Sequence, residues 1–251
     1  TLEVAADQRV AFIAVRLNDV APDGTSARVT YGLLNLTHRD SHEHPKPLEP
    51  GKRYLVTVTM NNIAHAFPAG HKVRLAVSTC YWPIAWPAPQ PVTLSLFSGK
   101  SFIDLPIRAP DSSDTSLRPF ESPERAAAEL TELRPAALKR IVERDRATNE
   151  TVYTVSSGPS DLDNPQTIQI KAIDLEVGYT MLKRFRIGEE DPATAQAEVV
   201  HKTWFSRGVW KTRVETRTRF SSNSDDFILQ AEVRGYENDE QFFTREWVCR
   251  V

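Results

Sequence analysis

Closely spaced histidines are the first side chains in this sequence that could do chemistry. His38, His42 and His44 lie on the polar, proline-punctuated segment HRDSHEHPKPLEPG, and His65 and His71 follow further along the chain. Imidazole nitrogens at such spacing could ligate zinc. A loop offers no regular scaffold to fix ligand geometry, however, and loop histidines are common without a metal. The sequence therefore predicts no metal site, and zinc binding by His38, His42 and His44 is kept as an alternative.

Nucleophilic catalysis would need a serine held by a defined backbone motif. The sequence contains no GxSxG nucleophile elbow, and the nearest match, SGPS at 157–160, lacks the second glycine. The stretch FSGKS at 97–101 resembles the end of a phosphate-binding loop, but Leu94 stands where that motif requires a glycine. We therefore predict no catalytic residue and no cofactor for this chain.

Aromatic residues beside prolines form the third candidate, in the stretch FPAGHKVRLAVSTCYWPIAWPAP at 67–89. The rings of Tyr81, Trp82 and Trp86 have enough area to stack on a sugar. Tryptophan-proline pairs at strand ends more often cap a sandwich or pack on a neighbouring domain. We therefore predict that Tyr81, Trp82, Trp86 and Phe67 form an interdomain or substrate-entrance surface. A carbohydrate-binding module is the alternative, and it requires both tryptophan rings to be exposed and coplanar.

Composition limits the classes of protein to consider. The chain has 251 residues, of which 40% are hydrophobic and 25% charged, as in ordinary globular proteins. A net charge of -2 gives no reason to expect nucleic acid or an anionic membrane as a partner, and the apolar runs are far shorter than the roughly 20 residues that span a bilayer. Cys80 and Cys249 are too few for a disulfide framework, which favours a reducing, cytoplasmic compartment.

Short alternating segments separated by turn signals predict an all-β fold. They run to about residue 110, and Gly32 within one of them indicates a bulge or a close backbone approach. The predicted strands lie in VAFIAVRLNDV, ARVTYGLLNL, KRYLVTVTMNNI, HKVRLAVSTC, PVTLSLFSG and SFIDLPIRAP. This pattern favours a sandwich or jelly roll over a helical fold.

The rest of the chain predicts one short helix and more strands. Residues 111–135 are interpreted as a linker with a helix in SPERAAAELTEL, where Ser122 is the N-cap and Pro123 the first helical residue. Residues 136–251 are predicted to be an antiparallel extension. It begins with a hairpin formed by ALKRIVERD and TVYTVSSG. The four strands of a meander follow, in QAEVVHKTWFSR, VWKTRVETRTRF, DFILQAEVRGY and EQFFTREWVCRV.

The first residues, TLEVAADQRVAFIAVRL, begin inside a strand-like pattern without an initiator methionine or a signal peptide. We expect this chain to be a piece of a longer protein in which partner elements lie upstream. The first strand or strands of the sandwich are then expected to be missing.

Three motifs in order carry a resemblance to a known family. VRLNDVAPDG at 15–24, GLLNLTHRDSHEHPKPLEPGKRY at 32–54 and FPAGHKVRLAVSTCYWPIAWPAP at 67–89 have the order and spacing of one module. They resemble the C-terminal, non-catalytic domain of the X-Pro dipeptidyl-peptidase and cocaine esterase (CocE/NonD) class of serine hydrolases. The resemblance covers roughly residues 1–110.

This resemblance implies a jelly-roll β-sandwich of the galactose-binding type that follows an α/β-hydrolase domain of the same polypeptide. The serine, aspartate and histidine of catalysis would lie in that upstream domain, in agreement with the missing nucleophile elbow. The module would be non-catalytic, pack on the hydrolase domain and shape its substrate entrance. Homo-oligomer contacts are a further expectation.

Overall fold

The computed structural model describes residues 1–124, 128–157, 166–223 and 225–251. These residues form fifteen β-strands and a few short 3₁₀ turns, which confirms the all-β prediction. The strands are β1 (Leu2–Ala6), β2 (Phe12–Val20), β3 (Ser26–Asn35), β4 (Tyr54–Val56), β5 (Lys72–Ser78), β6 (Leu94–Phe97), β7 (Leu130–Arg134), β8 (Leu138–Asp145), β9 (Glu150–Ser157), β10 (Gln166–Ile170), β11 (Leu175–Gly188), β12 (Gln196–Arg207), β13 (Trp210–Ser222), β14 (Phe227–Glu237) and β15 (Glu240–Arg250).

The first six strands form a sandwich of two three-stranded antiparallel sheets. One sheet has the order β4-β1-β6 and the other β3-β2-β5. Val4 from β1, Ile13 from β2 and Val56 from β4 meet in one buried cluster between the sheets. A β-sandwich is therefore present, and the jelly-roll connectivity stays a prediction.

Alternation along β2 decides which of its side chains face the sandwich interior. Ile13 and Val15 belong to the buried cluster. Because successive side chains of a strand point to opposite faces, Leu17 and Asp19 share the inward face with them. Asp19 thus lies on the inner face of the sheet, and it is buried at 8% exposure.

Gly32 is a site of close backbone approach, as the sequence predicts. It pairs with Val15 in the β2–β3 ladder, so it too faces the interior. A Cβ atom at this position would lie 2.4 Å from the carbonyl oxygen of Thr59. Only glycine leaves room for the chain to cross here.

The second region is one antiparallel sheet of nine strands. Its main path is β15-β14-β13-β12-β11-β10-β7, and β9 pairs with both β11 and β8. The predicted β8–β9 hairpin and the predicted meander of β12 to β15 are confirmed. Strands β7, β10 and β11 have no counterpart in the sequence analysis, and the predicted domain boundaries at 110 and 135 stay predictions.

One face of the β12–β13 pair carries charge, in agreement with the alternation in its sequence. Arg217 and Arg219 each donate a hydrogen bond from Nε to Glu198 Oε1, at 2.8 and 2.9 Å. Val214 and Phe220 alternate with these arginines and therefore lie on the opposite face.

The predicted helix in SPERAAAELTEL is wrong where the structure describes it. Residues 125–127 lie outside the described residues, but Leu130–Arg134 is strand β7 and pairs with β10. Helix propensity is a weak preference, and here the cross-strand pairing outweighs it. Within the described ranges, no helix has the length and hydropathy that crossing a membrane would require.

Two predicted strands are shorter than their sequences suggest. KRYLVTVTMNNI forms a strand only at Tyr54–Val56, and no strand is assigned between 101 and 110 in SFIDLPIRAP. A strand is assigned by its hydrogen-bonded neighbour, so alternation without a neighbour does not suffice.

Candidate functional site

A groove of about 730 Å³ opens at one end of the sandwich. Its walls include residues 57–63 on one side and residues 103–108 on the other. Leu17 and Phe67 also line the groove, and its lining is more apolar than polar. Concave apolar sites with a few polar groups are the usual places where a protein binds a ligand.

A carboxylate held between two imidazoles stands beside this groove. Asp19 Oδ1 accepts a hydrogen bond from His71 Nδ1 at 2.7 Å, and Oδ2 accepts one from His65 Nε2 at 3.0 Å. The Asp19 side chain is 10% exposed, and His65 also lines the groove. These three side chains, which we call the Asp19 clamp, join β2 to both ends of the 65–71 loop.

The two histidines keep the Asp19 carboxylate ionised. Burial is the largest single influence and raises the pKa of Asp19, because a charge is costly away from water. The hydrogen bonds from His71 and His65 and their positive charge together outweigh burial and bring the pKa below its usual value. The clamp is therefore a polar network satisfied within the chain.

The clamp resembles part of a catalytic triad without its nucleophile. Among the described residues, no serine hydroxyl forms a hydrogen bond with His65 or His71. An acid and two bases alone provide no group that would form a covalent intermediate. What the arrangement does is hold the 65–71 loop in place.

Phe67 is the predicted site residue that this loop carries to the groove. Its ring lies edge-on to the ring of His65, with 4.8 Å between the ring centroids. Since His65 is fixed by Asp19, the clamp also positions Phe67 in the groove wall.

Trp82 and Trp86 lie away from this groove, against the nine-stranded sheet. The ring of Trp82 packs edge-on against Phe185, and that of Trp86 against Phe220 at a centroid distance of 4.7 Å. Trp86 Nε1 donates a hydrogen bond to Ser222 Oγ at 2.9 Å. The two tryptophans therefore join the sandwich to the second region of the same chain.

Tyr81 packs on the outer face of the sandwich. Its ring contacts Tyr31 edge-on at a centroid distance of 5.5 Å, and Arg16 lies over it at 5.1 Å. The rings of Trp82 and Trp86 meet at 79°, so they do not form the coplanar platform that a carbohydrate-binding module requires. An interdomain or entrance role for these residues stays a prediction.

The loop histidines of the sequence analysis do not converge on a metal site. His38 and His42 have ring centroids 5.5 Å apart, and the His44 side chain is exposed beside Glu43. Within the described parts of the chain, no group of three or more histidine, cysteine or acidic residues could hold a metal ion.

Sequence reasoning missed the role of Asp19. The signal was available, because Asp19 stands in phase with Ile13, Val15 and Leu17 on the apolar face of β2. A charged residue on the buried face of a strand requires a partner. The two histidines of HAFPAGH at 65–71 provide it, although they are distant in sequence.

Comparison with known proteins agrees with this architecture. The family model described as "X-Pro dipeptidyl-peptidase C-terminal non-catalytic domain" matches residues 1–126. The chain belongs to this family. The match includes the sandwich, the groove and the Asp19 clamp, whereas the nine-stranded sheet lies beyond it.

A curated protein is also similar to part of this chain, at low sequence identity. The chain is 29% identical over 68 residues to a cocaine esterase from Rhodococcus sp. (strain MB1 Bresler). The aligned part is 27% of this chain and 12% of that protein. The chain therefore matches a small portion of a much longer enzyme.

Proposed function

We propose that this chain packs on an α/β-hydrolase domain of the same polypeptide and forms part of the wall of its substrate entrance. The observation that carries the proposal is the apolar groove, which lies within the segment that belongs to the non-catalytic C-terminal family and offers a surface that the rest of the polypeptide can cover. The family description calls this C-terminal domain non-catalytic. The substrate class that the two comparisons support is an ester or an Xaa-Pro peptide.

Exposed apolar side chains along the groove support its role as a contact surface. Ile63 is 55% exposed and Ile107 is 92% exposed, and Ile103 and Leu105 are also exposed. A contiguous patch of this kind on a globular protein usually marks an interaction site. Phe67 stands in the same groove, held by the clamp, and would face what enters it.

The test uses the intact protein and the 251-residue chain side by side. We expect the intact protein to hydrolyse p-nitrophenyl esters or Xaa-Pro anilides, and the 251-residue chain to hydrolyse neither. Turnover by the 251-residue chain alone would overturn the proposal.

The contribution of the groove is tested by one aromatic truncation. Phe67→Ala in the intact protein should raise KM several-fold with little change in kcat, because it loosens the packing of the entrance wall and leaves the chemical groups intact. Phe120→Ala is the matched control, since Phe120 is fully exposed and does not line the groove. Equal kinetics for both variants would argue against an entrance role. Homo-oligomer contacts stay a prediction, which sedimentation of the intact protein tests.

A further inference from the structure

We propose that the groove is a slot for one β-strand, and that the polypeptide leading into β1 fills it. In this arrangement the strand pairs with residues 57–60 on one side and 103–107 on the other. The assignment of the strand to preceding polypeptide rests on the proposed function, which places a hydrolase domain before this one. The shape and hydrogen-bonding pattern of the slot are argued from the residues below.

Both walls of the slot are segments that lie outside the assigned strands and leave their backbone groups available for pairing. In the described structure, residues 57–60 and 103–107 take part in no backbone hydrogen bond, and neither segment belongs to a strand. Both have strand-like sequences, VTVTM at 56–60 and FIDLPI at 102–107. Two edges with free donors and acceptors on either side of a gap can both be satisfied by one strand placed between them.

One wall is already aligned with β1. Thr1 and Phe102 exchange backbone hydrogen bonds, each 3.0 Å long, which is the pattern of an antiparallel hydrogen-bonded pair. Continuing this ladder places the first residue before Thr1 opposite Ile103 and the second opposite Asp104. Because hydrogen-bonded pairs alternate, the second preceding residue would bond to Asp104.

The other wall follows from the β1–β4 register. Leu2 pairs with Val56, so Thr1 lies opposite Thr57. Their hydroxyl oxygens are 3.3 Å apart, as expected for a pair whose backbone groups point away from each other. The first and third preceding residues would therefore lie opposite Val58 and Met60 and form hydrogen bonds with them.

Neighbouring contacts agree with this alternation on the 57–60 wall. Asn61 donates its backbone N–H to Tyr31 O at 3.0 Å, and the Thr59 carbonyl lies against Gly32. The odd positions of this segment thus turn toward β3, which leaves Val58 and Met60 turned toward the slot. On the opposite wall Pro106 has no N–H to donate, so the ladder should weaken there.

The same register predicts the chemistry of the incoming strand. Leu2 and Val4 are buried in the sandwich core, whereas Thr1 and Glu3 alternate with them. Since the side-chain period of a strand is two, the first and third residues before Thr1 point inward, beside Val58 and Met60. We therefore expect apolar side chains at these two positions and tolerance of polar ones at the second.

Residue-resolved amide hydrogen exchange tests the pairing. The 251-residue chain is compared with the same chain lengthened by the roughly ten residues that precede it in the intact protein. The amides of Val58, Met60 and Asp104 should exchange on the order of tenfold more slowly in the longer chain, and those of Thr59 and Ile103 should change little. Unchanged exchange at Val58, Met60 and Asp104 would overturn the proposal, and so would slower exchange at Thr59 and Ile103.

A matched pair of substitutions in the added segment sharpens the result. Aspartate at the third preceding position should remove the protection, because it places a charge on the inner face, whereas aspartate at the second position should keep it. Equal effects would contradict the register. If the slot amides become protected with rising concentration of the unlengthened chain, the occupant is a second copy and the assignment is wrong.

The outcome is separable from that of the proposed function. Amide protection is measured without substrate, so an intact protein that lacks hydrolase activity but protects the slot would disprove the proposed function alone. An active protein with unprotected slot amides would disprove this inference alone.

Discussion

The sandwich and the nine-stranded sheet bury their side chains in different ways. Among the described residues, nearly all fully buried apolar side chains come from the first fifty-six positions, and Leu182 and Ala195 are the exceptions. The sandwich has two layers and encloses a core between them. The large sheet has longer strands but far fewer buried side chains.

The difference arises because the nine-stranded sheet is a single layer, and each of its two faces can be buried only by a further layer of protein. The loop that carries Trp82 and Trp86 covers one end of the apolar face of the nine-stranded sheet. There Trp86 packs against Phe220 and Phe227. Elsewhere on that face, Tyr179 and Trp247 remain exposed. Long antiparallel ladders and cross-strand pairs therefore contribute more to this sheet than a buried core does.

Each region also holds a carboxylate that is paired with basic side chains. The Asp19 carboxylate is buried and held by two histidines from one loop. The Glu198 side chain in the large sheet is 15% exposed and accepts hydrogen bonds from Arg217 and Arg219, whose own side chains are about half exposed. Both carboxylates are largely out of water, but the partners of Glu198 reach solvent, which screens their charges. Substitutions in the sandwich should consequently have larger effects than those in the sheet.

The largest effect is expected from the same truncation made in each region. Ile13→Ala removes a side chain with 0% exposure from the sandwich core and should lower the free energy of unfolding by about 2 to 5 kcal/mol. Ile141→Ala in β8, at 45% exposure, should cost less than about 1 kcal/mol. Guanidinium unfolding measures both, and equal losses would refute the contrast.

The next effect concerns the junction between the regions. Trp86→Ala removes a half-buried ring and its hydrogen bond to Ser222, and it should cost about 2 to 3 kcal/mol, somewhat below the value for a fully buried tryptophan. The two regions should then unfold in separate transitions, detectable by calorimetry. Trp210→Ala is the control, because Trp210 lies on an exposed strand end. A single transition in both variants would show that the tryptophan does not couple the regions.

The pH dependence of stability tests the buried charge. Because the pKa of Asp19 is lowered in the folded state, its contribution is present above the unfolded pKa of about 3.9 and is lost as the pH falls through the folded value. Asp19→Asn should therefore be less stable than the wild type near neutral pH and lose less stability on acidification below about pH 4. Urea unfolding across this range measures the effect.

A carboxylate outside the clamp provides the control for this pH experiment. Asp239 lies in the exposed turn between β14 and β15, so Asp239→Asn should follow the wild-type profile. If Asp19→Asn also follows that profile, the clamp contributes nothing to stability.

The smallest effect is expected on the charged face of the sheet. Glu198→Gln removes the charge but keeps a hydrogen-bond acceptor for Arg217 and Arg219, whose side chains are about half exposed, so it should cost about 1 kcal/mol or less, with a smaller difference at high salt. Glu240→Gln, at the exposed start of β15, serves as the comparison. A loss as large as that of Ile13→Ala would mean that charge, rather than the core, stabilises this chain.

Local patterns predicted most of the strands but not their number. Alternation and turn residues located β2, β3, β5 and the four meander strands, because these signals are local. The alanine-rich stretch misled the helix prediction, since β7 owes its conformation to pairing with β10. The family was recognisable from three motifs, and the match over residues 1–126 agrees with them.

The candidate site was only partly predictable from the same residues. Phe67 lines the groove, and its role in an interdomain or substrate-entrance surface stays a prediction, whereas the Asp19 clamp that holds its loop was missed. Tyr81, Trp82 and Trp86 were grouped with Phe67 on the basis of proximity in sequence. The structure separates them, because the β5 strand carries the chain away from the groove before Tyr81.

The sequence alone determined that this chain is built of β-strands, where most of them lie and which family its first half belongs to. These properties depend on side-chain alternation, turn residues and ordered motifs, all of which can be read along the chain. Only the tertiary structure decided that Asp19 meets His65 and His71 and that Trp86 packs on the second region. It also decided that residues 57–60 and 103–107 line the same groove. Such contacts join residues far apart in sequence, and local patterns carry no information about which distant backbone or side chain will be their neighbour.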